Sequence, residues 1–266
     1  MTVLYLTLGV LAAMAVIMGV GWWVQRAAQD GGWTDVFWTF GTGVTLAGAA
    51  LIPLGAAPGV AWRRDMAAAM VGVWALRLGI YIARRVAKGP EDARYAGFRR
   101  DWGSNFQTRM IGLMMAQAPA AALLSVSVIL AARDPHPGFR VQDLLGLAVL
   151  AGSVIGEAVA DAQMHRFRTN PAHKGKVCDT GLWAWSRHPN YFFEAAAWIA
   201  YPVIALSLAR PFTLLSLTAP IIMFLTVRFA SGVPPLEEAM LKSRGDAYRA
   251  YQARVSAFIP RPPKKA

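Results

Sequence analysis

Seven apolar stretches, each close to bilayer-spanning length, divide this chain: residues 3–24, 36–54, 67–82, 111–131, 144–160, 192–208 and 211–227. Lipid offers no partner to a peptide N–H or C=O, so continuous apolar runs of this length must close their backbone bonds internally as helices. The pattern predicts an all-α polytopic membrane bundle of about seven transmembrane helices. Ionisable residues in the third, fifth and sixth runs leave six or eight spans open. At 56% hydrophobic and 16% charged residues, with mean hydropathy +0.37, a soluble fold is excluded. The first run lacks a basic n-region and a small-residue cleavage site and is too long for a signal sequence, so it reads as a retained helix. No linker separates domains. Residues 1–266 read as one integral membrane domain: two N-terminal helices in 1–65, a helical core in 66–260 and a basic tail in 261–266.

Charge sets the expected topology. Seven Lys/Arg fall between Arg84 and Arg109, five between Arg166 and Arg187, and eight between Arg228 and Lys265. These segments follow the third, fifth and seventh runs, so they share one side of the membrane. The positive-inside rule makes that side cytoplasmic, with the N-terminus outside and the C-terminus in the cytoplasm. The net charge of +12 and pI near 10.4 therefore follow topology and invite membrane lipids or an anionic cofactor, with no nucleic acid as partner. The single Cys178 rules out an internal disulfide, and the four histidines form no HxxxH pair, so no metal is expected.

Chemistry concentrates in Trp185-Ser-Arg187-His188-Pro-Asn190-Tyr191-Phe-Phe-Glu194, at the entrance to the sixth run. Arg187 and His188 suit phosphate, Asn190 suits an amide or ribose, and Pro189 suits the first turn of a helix. A basic interface anchor would account for Arg187 and Tyr191, but not for Asn190 together with Glu194. In the fifth run Glu157, Asp161, His165 and Arg168 are spaced four, four and three, on one helical stripe. A carboxylate facing lipid costs roughly 2.5 kcal/mol or more, so Glu157 and Asp161 must face protein or water. Either they form an interhelical salt bridge, for example to Arg77, or they line a polar ligand's pocket. In the third run Trp74, Arg77, Tyr81 and Arg85 share a face, with Arg77 about two turns deeper than the interfacial Arg84 and Arg85. Three helices thus bring polar groups to their cytoplasmic ends. That suits a nucleotide entering from water and an apolar substrate entering from the bilayer.

At these residues the chain resembles the steroid 5α-reductase-like membrane reductases, and more closely their bacterial relatives grouped under the uncharacterised domain DUF1295. The resemblance runs from about Trp74 to Pro260. It rests on Trp74-Ala-Leu-Arg77…Tyr81…Arg84-Arg85, Arg94-Tyr95…Asp101-Trp-Gly103 and Asp161…Arg168. It continues through Gly181-Leu-Trp…Ser186-Arg-His-Pro-Asn-Tyr191…Glu194 and Tyr248…Tyr251…Phe258-Ile-Pro260. The resemblance implies NADPH on the cytoplasmic side of a multi-pass protein of the bacterial inner (plasma) membrane. The reaction it implies is reduction of a carbon–carbon double bond conjugated to a carbonyl, in a steroid- or isoprenoid-like lipid-metabolism substrate. Asp161, Arg168, Asn190 and Glu194 match the family's cofactor positions; Arg77 and Arg85 border the cofactor, and Tyr191 completes the motif. The phosphate contact of Arg187 and His188 is expected from charge.

The family's early Gln-Glu pair has no counterpart in 36–54, and Trp74 holds the position of its ketone-gripping tyrosine, leaving Trp74 as a substrate-lining residue. Tyr81 and Glu157 are then the candidate acids, with Tyr5 as a further one. The alternative is a membrane methyltransferase of the isoprenylcysteine or phospholipid type using S-adenosylmethionine, since Arg-His-Pro-x-Tyr and Glu237-Glu238…Tyr248-x-x-Tyr251 also occur there. The segment 89–103 reads as a solvated surface helix, and a short helix is expected around 236–244.

Overall fold

A computed structural model describes residues 1–264 except 56, 58 and 59, so Lys265 and Ala266 of the expected basic tail lie outside the described residues. The described chain is helical, with no strand. Among the described residues five helical segments are long and apolar enough to cross a membrane: Thr2–Ala28, Ala61–Lys88, Ala93–Ala132, Val141–Thr169 and Pro211–Arg244. They make this a membrane-embedded helical protein. Two of the seven expected runs look different. Run 36–54 forms α2 (Trp33–Leu51), long enough at 19 residues but diluted by Asp35, glycines and threonines. Run 192–208 is divided into α8 (Pro189–Ala197) and α9 (Ala200–Ala205). Pro202 has no N–H to offer the carbonyl one turn earlier, which favours a break there.

The chain divides into two compact units, 1–147 with 201–222 and 148–200 with 223–266. In the first, α1 (Thr2–Ala28) packs on α2 and on α6 (Gln117–Ala132), and α2 packs on α3 (Ala61–Lys88). The buried face of α1 is Leu6, Val10, Met14, Met18, Gly21 and Gln25, while Leu4, Leu8, Val16, Val20 and Trp23 are exposed. An apolar exposed face is what lipid requires. Glycines permit close helix approach: a Cβ on Gly21 would meet Phe37 at 2.8 Å, one on Gly79 would meet Phe40 at 2.6 Å, and one on Gly43 would collide with Ala75.

Segment 89–103 forms α4 (Ala93–Trp102), preceding α5 (Phe106–Met115). Asp92 caps α4 by accepting from the Arg94 N–H at 3.0 Å. The helix is less solvated than expected. Tyr95 is buried and donates to Asp35 at 2.8 Å, Arg94 pairs with Asp35 at 2.7 Å, and Glu91 accepts from the Gly31 N–H at 2.8 Å. These bonds tie α4 and the residues just before it to the first turn of α2 and to the turn between α1 and α2.

Beyond the sequence reading, the first unit contains a buried charge network. Arg63, fully buried, holds Asp143 through two bonds of 2.9 and 3.3 Å and donates to the carbonyls of Asp134, His136 and Gly138. The Asp134 carboxylate in turn accepts from Arg210 at 2.6 Å and lies 3.4 Å from Arg140. Truncating one partner strands the other charge without water, at a cost of about 3–5 kcal/mol. Arg63→Ala is therefore expected to lower the unfolding midpoint of the detergent-purified protein more than Arg64→Ala, whose side chain donates to the Leu51 carbonyl at an exposed position. Equal midpoints would show that the network adds nothing to stability.

Candidate functional site

The second unit is organised by α7 (Val141–Thr169, from residue 148 on), α8, α10 (Thr218–Leu225, from residue 223 on), α11 (Val233–Arg244) and α12 (Asp246–Arg254). Along α7 the predicted stripe divides by depth. Glu157 and Asp161 are buried, whereas His165 and Arg168, two turns on, are exposed. α7 and α8 approach closely because residue 156 is glycine: a Cβ there would meet the Phe193 ring at 2.5 Å.

The loop before α8 is fastened to α7 and to the C-terminal segment. Gly181, at φ +59°, begins a 3₁₀ turn (Gly181–Ala184) in which the Leu182 N–H donates to Gln163 at 2.9 Å and the Trp183 indole donates to the Ala160 carbonyl at 3.0 Å. The Tyr251 hydroxyl donates to the Trp183 carbonyl at 2.5 Å, and Ser186 donates to the Phe258 carbonyl at 2.7 Å. The Arg187 N–H donates to the Ser256 carbonyl at 2.8 Å. His188 then caps α8, with Pro189 in the first turn as expected.

Two polar clusters emerge from this frame. In the first, Asn190 Nδ2 donates to Asp161 Oδ1 at 3.4 Å, and Glu194, one turn along α8, accepts from the Trp198 indole at 3.4 Å. Asp161 and Glu194 are 6% and 5% exposed, so both carboxylates sit where water is scarce. Sequence positions 29 residues apart thus meet on adjacent helices, and Tyr191 stacks on His188 with rings 5.9 Å apart.

In the second cluster Glu237 gathers the other half of the motif. Arg187 grips its carboxylate with Nε at 2.6 Å and Nη2 at 2.9 Å, and donates through Nη1 to the Gln252 and Val255 carbonyls. Tyr248 and Gln252 donate to the same carboxylate at 3.1 and 2.8 Å, and His188 Nε2 lies 3.1 Å from it. Arg187 and His188, predicted to meet phosphate, thus face a carboxylate of their own chain. Burial, aided by the adjacent Glu237 charge, keeps the Tyr248 hydroxyl protonated well past its ordinary range, so it serves as a donor. Gln163, Trp183 and Gln252 entered no sequence motif; their role depends on partners 15–23 residues distant.

The remaining predicted residues belong to the first unit, on α3. Trp74 is buried and meets Trp38 edge-on at 6.0 Å. The Arg77 guanidinium lies 5.6 Å from the Tyr81 ring centre, and Arg85 pairs with Asp92 at 3.1 Å. Tyr5 is 56% exposed. No group of three or more His, Cys, Asp or Glu arranged to hold a metal occurs among the described residues.

Burial lowers the His188 imidazole below its ordinary 6.5; Glu237 opposes this, and Arg187 and Arg228 reinforce it. The unfolded chain then takes up a proton first as pH falls. Stability associated with neutral His188 is complete above 6.5 and is lost as pH drops through 6.5 toward the lower folded value. The gap in unfolding midpoint between wild type and His188→Gln should therefore narrow from pH 7.5 to 5.5. A gap independent of pH would refute a neutral buried imidazole.

No curated protein and no solved structure matches the chain. A family model described as a protein of unknown function, DUF1295, matches residues 21–255. That span takes in both polar clusters and nearly the whole helical array, and on it the chain belongs to the DUF1295 family.

Proposed function

We propose that this protein is an NADPH-dependent membrane reductase of the steroid 5α-reductase-like kind, acting on a carbon–carbon double bond conjugated to a carbonyl in a lipophilic substrate drawn from the bilayer. The observation that carries the reading is the bond from Asn190 to the buried Asp161 across α7 and α8, with the buried Glu194 one turn along α8 from Asn190. Two carboxylates and an amide match the donors of a nucleotide's ribose hydroxyls and carboxamide, and the exposed Arg168 on the same stripe of α7 offers a cation for phosphate. The donor set therefore fits NADPH, which when bound supplies a hydride for the β-carbon. Asp161 and Glu194 accept from ribose or amide N–H and O–H groups, and Asn190 both donates and accepts. A proton for the α-carbon comes from Glu157, buried one turn before Asp161, or from Tyr81. Trp74, Arg77 and Arg85 stay in the proposal through their sequence pattern on α3. The same reading places the protein in a bacterial inner membrane with seven crossings, its N-terminus outside and the cofactor side cytoplasmic, as one membrane domain.

One observation favours a methyltransferase. Glu237 and Tyr248, from the C-terminal pattern shared with those enzymes, converge on the Arg-His-Pro segment. The first reading is preferred because Asp161, Asn190 and Glu194 bring two carboxylates and an amide, the groups that suit ribose and carboxamide, whereas Glu237 is held by Arg187, His188, Tyr248 and Gln252.

Isothermal titration of the detergent-purified protein with NADPH and, separately, S-adenosylmethionine decides between them. NADPH is expected to bind, and Asn190→Ala to weaken it up to about tenfold, the loss of one neutral hydrogen bond. Heat from S-adenosylmethionine alone would sink the reductase. Glu157→Gln should lower single-turnover reduction of a lipophilic enone at least tenfold with NADPH affinity unchanged; unchanged turnover would transfer the acid role to Tyr81.

A further inference from the structure

Arg228 and Arg261 face a cleft of the second unit that has no part in the cofactor reading. It measures about 190 Å³, several times a water's share of roughly 30 Å³, and its walls include both arginines with Ser256, Phe224, Phe258 and Ile259. Arg228 is the first residue after the apolar run 211–227 and sits in a π-helical turn, Thr226–Ala230. The Ser231 N–H donates to the Thr226 carbonyl at 2.9 Å to close that turn. Gly232 follows, where any Cβ would collide with the Val227 carbonyl oxygen. The wider turn is thus built into the chain at the place where Arg228 emerges, and such turns recur at functional sites.

The surroundings are apolar and exposed. Phe229 is 59% exposed, with the Arg228 guanidinium 4.9 Å from its ring centre, and Ile259 is 48% exposed. Among the described residues no carboxylate pairs with Arg228 or Arg261. By contrast Arg187 pairs with Glu237 and Arg254 with Asp179. Two unneutralised guanidinium groups on one apolar-walled cleft attract an anion, and arginine suits phosphate best. The apolar collar argues for a phosphate attached to an acyl chain, held at the depth where a membrane helix ends.

We propose that this cleft binds the phosphate headgroup of an anionic phospholipid, with its acyl chain lying along Phe224, Phe229 and Ile259. The cleft's walls include none of Asp161, Asn190 and Glu194, so neither proposal depends on the other.

Native mass spectrometry of the full chain in detergent tests it, with phosphatidylglycerol as ligand and phosphatidylcholine as zwitterionic control. Wild type is expected to retain phosphatidylglycerol in preference to phosphatidylcholine. Arg228→Gln with Arg261→Gln should cut that retention about tenfold or more, while Arg228→Lys largely preserves it. Equal retention of the two lipids, or undiminished phosphatidylglycerol on the double variant, would overturn the proposal. So would displacement of the lipid by millimolar inorganic phosphate or NADPH, which would assign the cleft to a water-soluble phosphate ligand. If the double variant does not fold, Arg261→Gln alone serves, since that side chain is exposed.

Discussion

A peptide group without a hydrogen-bond partner is too costly to leave in lipid, and the architecture follows from that constraint. Where the chain is regular, the helix satisfies it. Where the chain departs from the helix, long polar side chains do so instead. Arg63 serves three carbonyls of the 134–138 turn, and Arg133 serves those of Ala49, Ile52 and Leu54 at the end of α2. Arg187, Ser186 and Tyr251 do the same for the segment around the 185–189 motif. Arginines, Arg187 of the polar motif among them, thus complete the backbone of their own fold. The guanidinium is suited to this because its five donors keep their charge at any physiological pH.

The same accounting separates the two carboxylate clusters of the second unit. Glu237 is surrounded by donors from Arg187, Tyr248 and Gln252, with His188 beside it, and it joins α11, α12 and the α8 entrance into one framework. Asp161 and Glu194 are more deeply buried than Glu237 and lie on α7 and α8, where Asp161 accepts from the Asn190 amide and Glu194 from the Trp198 indole, each at 3.4 Å. The Arg-His-Pro-Asn-Tyr motif divides at Pro189, its first half supporting the fold and its second half the proposed cofactor.

Much of this was legible beforehand. Run 3–24 is α1, run 144–160 lies inside α7, and the spacing of Glu157, Asp161, His165 and Arg168 placed them on one stripe because helical periodicity is local. The break inside run 192–208 was less visible, since hydropathy averages over Pro202. The role of Glu237 was not visible in its neighbours at all; it is defined by Arg187, fifty residues earlier. Arg63 belongs to no sequence motif, because nothing nearby in sequence announces Asp134 or Asp143.

The sequence by itself determined the membrane class, the helical backbone and the family, because hydropathy, helical period and short motifs are properties of neighbouring residues. The tertiary structure alone decided which partners the charges meet, Arg63 with Asp143 and Arg187 with Glu237 among them. That choice turns on distances between residues far apart in the chain, and a buried charge takes its meaning from the partner that packing brings to it.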